Sequence, residues 1–365
     1  MFQTSADSRW PSGNAWGAFV ARHRHSLILA ALSLSLLVML CVAVAIGSTA
    51  IALSDVAAAL LGLPTEKPST AGVITSIRLP RALTALLAGA ALGVAGLQMQ
   101  TLLRNPLADP FVLGITSGAS LGVALVVLAS GSAMAGLLTG GFGIGGGLVL
   151  VTAATLGALA ILIPTLIIAA RLANPSTVLI FGLMTGYGVS AFVTVLVAGA
   201  SPEQLQRWTA WGFGSFSAVT WSDLPVFAPV ILFGIAVALI SIKQLNAMLL
   251  GDNYARSMGV NTRFTRLITM GSASMLAGAV TAFCGPIGFL GVAVPHLARA
   301  LTSTSDHAVL VPVSVLLGAQ IALFAQIVSL FPGQFGSLPL NAVTALVGAP
   351  VVLFVILKSR RGVLS

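Results

Sequence analysis

Long apolar runs alternate with short polar breaks along almost the whole chain, at about 27–48, 82–103, 111–131, 147–170, 177–200, 225–242, 267–284, 287–301, 310–330 and 340–357. A helix rises about 1.5 Å per residue, so about 20 apolar residues cross roughly 30 Å of hydrocarbon. The pattern predicts about ten transmembrane helices and an all-α, polytopic membrane protein. The eighth run is the shortest and contains Pro295. One break differs from the rest: from Lys243 to Arg266 the text KQLNAMLLGDNYARSMGVNTRFTR is mostly polar. Lipid favours no such segment, so its amphipathic pieces are expected to form short helices that lie against the membrane or face a soluble partner.

Composition agrees with this class. Of 365 residues, 57% are hydrophobic and 7% charged, and the mean hydropathy is +1.05, whereas about a quarter of a soluble domain is charged. The net charge of +9 does not point to nucleic acid, because the basic residues stand singly between apolar runs instead of forming a stripe. They carry topology instead. With both termini inside, the inner segments hold Arg9, Arg22, Arg24, Arg104, Arg171, Lys243, Arg256, Arg263, Arg266, Arg299, Lys358, Arg360 and Arg361, thirteen of the 17 basic residues. The outer segments hold Lys67, Arg78, Arg81 and Arg207. The positive-inside rule therefore puts 243–266 in the cytoplasm. Residues 1–25 read as a cytoplasmic tail before an uncleaved first helix, 26–361 as a single transmembrane domain, and 362–365 as the C-terminal end. Cys41 and Cys284 lie in apolar runs and read as packing residues.

The 39 glycines recur inside spans, as AGAALGVAG (88–96), GITSGASLG (114–122), FGLMTGYG (181–188) and GSASMLAGA (271–279). Small residues at such spacing let helix backbones approach closely in lipid. GGFGIGGG (140–147) contains a G-x-G-x-x-G spacing but follows no strand, and it reads as an outer loop.

The candidate chemistry is informative by what it lacks. A phosphate-binding P-loop needs Gly before Lys, and the three lysines follow Glu66, Ile242 and Leu357. His23, His25, His296 and His307 form no H-E-x-x-H pair, and no span holds a nucleophile with its base, which leaves an intramembrane enzyme without support. Asp55, Glu66, Asp109, Glu203, Asp223, Asp252 and Asp306 all fall at or near predicted ends of spans. Ion-coupled carriers usually keep an ionisable group within the membrane, so that alternative loses ground. A transporter without an engine of its own needs a separate one.

Six motifs, in order, give the chain a likeness. RLPR (78–81), GLQMQTLLRNPLADPFVLGITSGASLG (96–122), WTAWGFGSFSAVTW (208–221), GDNYARSMGV (251–260), GPIGFLGVAVPHLAR (285–299) and LPLNAVTALVGAP (338–350) together resemble the FecCD-type permeases. These are the membrane subunits of ABC importers for ferric siderophores, haem and cobalamin. The resemblance covers about 26–361 and implies ten-helix subunits of the bacterial inner membrane, paired about a two-fold axis. It also implies a second permease copy, a homodimer in preference to a heterodimer, two cytoplasmic ATPases that bind ATP and Mg, and a periplasmic binding protein. The permease itself would be no enzyme and bind no cofactor or metal. Its cargo would be an iron chelate, ferric siderophore or haem, with cobalamin as the alternative.

The resemblance also assigns residues. Gly251, Asp252, Tyr254, Ala255, Arg256, Met258 and Gly259 would insert into a cleft on the ATPase, with Arg256 on the rim and Met258 as an apolar contact. Arg78 and Arg81, three apart at a helix start and so on one face, would meet glutamates of the binding protein. Leu330 stands where the family commonly has arginine, and Ser337 where a glutamate commonly precedes Leu-Pro. RNPLADP (104–110) and RLANPST (171–177) join spans through Asn-Pro, which ends helices; Asn105 and Leu107, with Asn174, Pro175 and Ser176, would constrict the cytoplasmic exit. Phe181, Met184 and Tyr187 would line the pathway.

Overall fold

The structure, a computed structural model, describes residues 15–47, 51–65, 67–128, 144–171, 175–330 and 338–361. The first apolar run folds as α1 (Ala15–Ala45), which begins within the segment read as a tail. After α2 (Leu53–Leu60), α3 (Pro68–Val73) runs through a π-helical turn at Ile74–Arg78 into α4 (Leu79–Leu103). A 3-10 turn at Pro110–Leu113 leads to α5 (Ile115–Val127), followed by α6 (Ile144–Arg171) and α7 (Pro175–Ala198). A short helix, α8 (Pro202–Gly212), opens on a capping box between Ser201 and Gln204. Then come α9 (Leu224–Ile240), α10 (Ile242–Leu249), α11 (Asp252–Ser257), α12 (Thr262–Cys284), α13 (Leu290–Thr302), α14 (His307–Ser329) and α15 (Leu340–Arg361). No strand occurs among the described residues.

Each of the ten apolar runs thus holds a helix, but the helices are not alike. Six of the described ones are long and apolar enough to cross a membrane, and α9 with α10 makes a seventh candidate bent by 55°. Two of the ten helices, α5 and α13, are short, with 13 residues each, and α13 falls in the run read as the shortest. That is about 20 Å of helix, short of the hydrocarbon thickness. The cause is local: Gly114 (φ 80) and Gly285 (φ 76) take backbone angles that helices do not, and Pro110 and Pro286 break the ladder beside them.

The centre of the bundle is α4. Its sequence is small or apolar on every side, the signature of a helix buried all round, and α9, α12, α13 and α14 surround it. A second group, α5, α6 and α7, packs alongside through contacts of α6 and α5 with α12. Glycines set the closest approaches: Gly89 faces Gly318 of α14, Gly96 faces Gly291 of α13, and Gly118 faces Gly157 of α6. The glycine rows of α7 and α12 behave differently, since Gly188 and Gly271 meet open space. The polar C-terminal end of α4 is paired across the bundle: Gln98 Nε2 donates to Ser272 Oγ (3.2 Å), and Arg299 donates to Gln100 Oε1 (2.7 Å).

Candidate functional site

The polar stretch 243–266 becomes two short helices. Leu245 and Met248, one turn apart on α10, are buried against the bundle and anchor it. Gly251, at φ 106, then turns the chain sharply into α11. Only Ala255 of α11 is buried, so the helix leans on the bundle at one small residue. It ends in a Schellman arrangement, with Val260 N–H donating to Ala255 O and Gly259 N–H to Arg256 O, Gly259 being left-handed at φ 80. Tyr254 (68%) and Met258 (53%) stand exposed together with Leu249, Leu250 and Phe264. Arg256 is exposed beside them and its Nε donates to Thr262 Oγ1. Leu249, Leu250, Tyr254 and Met258 lie outside the six long spans, and exposed apolar side chains in such a place are a common mark of a surface that meets a partner. Asp252 does not join it: its two oxygens accept from Arg104 and Arg266.

The turn 104–110 sits next to this segment. Arg104 ends α4 in a left-handed conformation (φ 46), and Asn105 Oδ1 accepts from Leu107 N–H in an Asx turn. Leu107 is exposed at the tip. His296 of α13 approaches Pro106 O at 2.8 Å, and the 3-10 turn that follows rests on α7. Of the second turn, Asn174 lies outside the described residues, while Pro175 and Ser176 open α7.

Asp109 closes the first turn by accepting from Phe111 N–H at 2.9 Å, and a Cβ added at Gly291 would lie 3.2 Å from its Oδ2. Burial pushes this carboxyl up from 3.8 to about 6, against the opposing pull of the Phe111 N–H. An acid raised on folding favours the folded state while protonated. That contribution is full below about pH 4 and is lost as pH rises through about 6. Thermal unfolding of detergent-solubilised protein is therefore expected to show a midpoint that falls between about pH 4 and 6.5 and levels off above, and Asp109→Asn to flatten that fall. Identical slopes for the two proteins would sink the assignment.

At the opposite end of α4, Arg78 is buried. The residue is 4% exposed, and its guanidinium donates to the carbonyls of Val44 (3.2 Å) and Ala45 at the end of α1, where free carbonyls collect. The reason is tertiary: Arg78 ends the π-helical turn next to the end of α1, whose carbonyls it reaches. Arg81 instead lines a cavity of about 420 Å³ with Phe213, Ser215, Gln326, Leu330 and Leu338. Its Nε is buried there without a hydrogen-bond partner. Ser337 lies outside the described residues.

The pathway residues share α7. Phe181 is half-buried, and Met184 and Tyr187 are exposed. A neighbouring groove of about 440 Å³ between α5 and α7 is lined by Thr116, Ser117, Ser120, Ser190 and Thr194, with Trp208 at its rim. Sequence reasoning passed over that hydroxyl row, which breaks the apolar text only one residue at a time. It also counted Arg104 and Arg266 as topology charges without partners, because no local spacing links them to Asp252.

Comparison with known proteins agrees with this architecture. The chain matches the FecCD transport family over residues 35–358. It is 36% identical over 298 residues to the uncharacterized ABC transporter permease protein YvrB of Bacillus subtilis, covering 81% of this chain and 82% of that one. It is 34% identical over 288 residues to the vitamin B12 import system permease protein BtuC of Salmonella paratyphi A, covering 79% and 84%. A solved structure described as an inward-facing conformation of a metal-chelate type ABC transporter superposes with a TM-score of 0.78 at 27% identity, covering 91% of this chain and 99% of that one. The helical bundle, the order of its motifs and these likenesses lead to one conclusion: the chain belongs to the FecCD transport family, as a multi-pass ABC importer permease.

Proposed function

We propose that this permease carries a bulky metal chelate from an external binding protein to the cytoplasm by alternating access. The reading places it in the inner membrane with both termini inside. The observation that carries it is the exposed apolar face of α10 and α11, set against the turn 104–110 on a chain without a P-loop. Such a face serves an engine that is a separate chain. ATP-bearing subunits close, the α11 region moves with them, and the turns at 104–110 and 174–176 open or shut the inner exit. A second permease copy completes the pathway along α7, where Met184 and Tyr187 face outward. Arg81, with its unpartnered Nε, is the outer residue retained for meeting a binding protein.

For the cargo, a ferric siderophore or haem is the first reading. Likeness to a metal-chelate type transporter supports it. Cobalamin is the second, supported by the 34% identity to a vitamin B12 permease. The test is to purify the permease with its ATPase, reconstitute both with the cognate binding protein, and measure uptake of a ferric hydroxamate, haemin and cyanocobalamin. ATP-dependent uptake of one of the three is expected. A permease that retains no ATPase and imports none of them with ATP overturns the reading in favour of a carrier working alone.

A further inference from the structure

We propose that Asp252 is a positioning residue, a strut that ties α11 to the turn 104–110 through Arg104 and to the foot of α12 through Arg266. The inference rests on the reading of α11 as the segment that meets an ATPase, and it gives Asp252 a task inside the permease instead of on the partner.

The geometry is specific. Asp252 Oδ1 accepts from Arg104 Nη2 at 2.5 Å, and Oδ2 accepts from Arg266 Nη2 at 2.8 Å, so each oxygen holds one arginine. The two arginines come from different parts of the bundle. Arg104 ends the central helix α4 and directly precedes Asn105 and Leu107. Arg266 lies in the first turns of α12 and is only 11% exposed. An ion pair between two waving surface side chains contributes little, but a carboxylate shared by a nearly buried arginine is held in place. The backbone is built to deliver it. Gly251, at φ 106, lets the chain reverse next to Arg104, and a Cβ there would lie 4.0 Å from Arg104 Nη2. Arg104 is itself left-handed (φ 46), a conformation uncommon for arginine.

The consequence is mechanical. Asp252 and Arg104 lie 148 positions apart in the chain, so a displacement of α11 reaches the turn across this contact without travelling through α12 and the bundle. His296 approaches Pro106 O on the far side of the same turn. The turn is therefore held between α11, which moves, and α13, part of the packed core. Coupling that depends on such a contact needs two arrangements of it, and both ends must feel the change.

The experiment uses the assembled transporter in proteoliposomes and reads substrate imported per ATP hydrolysed. The variants are Arg104→Gln, Asp252→Asn, their double, and Arg104→Lys. Arg104→Gln is expected to co-purify with the ATPase in the wild-type ratio while import per ATP falls at least about fivefold. The double is expected to be no worse than either single, because both remove the same contact. Arg104→Lys, which keeps the charge, is expected to recover most of the loss. Wild-type import per ATP in Arg104→Gln overturns the proposal, as do additive losses in the double. Loss of the ATPase from Asp252→Asn alone also overturns it, since Asp252 would then be a docking contact. A wild-type complex that imports nothing overturns the functional reading, and this inference with it.

Discussion

Gly96→Ala is expected to prevent the bundle from closing. A methyl group there would sit 1.7 Å from the carbonyl oxygen of Gly291, a backbone atom that no rotamer change can move. Helices α4 and α13 would have to separate, and α4 is the helix around which the others pack. Overpacking in a core costs about 1–3 kcal/mol where side chains yield, and more where they cannot. Stabilities of folded domains are only about 5–15 kcal/mol. The expected result is a steep loss of monodisperse protein on size exclusion and a lowered unfolding midpoint. Gly271→Ala is the matched control: its added Cβ meets nothing within 4 Å, and its effect is expected to stay within about 0.5 kcal/mol. Similar behaviour of the two variants would show that α4 and α13 do not meet in this register.

The second large effect belongs to function. Arg256→Glu with Met258→Glu is expected to cut ATP-driven uptake about tenfold or more and to weaken co-purification of the ATPase. Met258 is 53% exposed and Arg256 lies on the surface beside it, so the fold has little to lose from either change. A docked helix places such side chains in a cleft, where an apolar contact at the centre and an arginine at its edge are the residue types that dominate binding. A carboxylate at 258 would be buried without a partner, at a cost of about 2 kcal/mol or more, equivalent to more than tenfold in affinity. An unchanged unfolding midpoint with lost uptake is the predicted signature. Normal coupled transport by the double variant would remove α11 from the docking surface.

The candidate site was legible in part. The polar interruption at 243–266 stands out because its neighbours are uniformly apolar, and the paired signals Gly251 and Gly259 bracket the helix that forms there. Leu245 and Met248, at helical spacing, announce the face that α10 buries. No local spacing shows that the Arg78 guanidinium reaches the carbonyls of Val44 and Ala45, because they belong to α1, 34 and 33 positions earlier. The partners of Asp252 were out of reach for a similar reason. Its two arginines stand 148 positions before it and 14 after it, in the ends of two different helices. Glycine rows show the same limit: four of them look alike as text, yet those of α4 and α5 carry backbone contacts while Gly188 and Gly271 face open space.

By itself the sequence determined the class of molecule and the positions of its long apolar helices, but not the short α2, α3 and α8. Hydrophobicity over about 20 residues is a local quantity, and in lipid it suffices to make a segment helical, since no water can satisfy its backbone. It also singled out one segment as unlike the rest, because 243–266 is mostly polar. Only the tertiary structure decided which helix lies at the centre, which glycines touch, that two predicted spans are short, and that Arg78 and Asp252 turn inward. These are matters of which surfaces meet. Between apolar helices in lipid, the choice depends on backbone shape and on a few polar contacts between residues far apart in the chain.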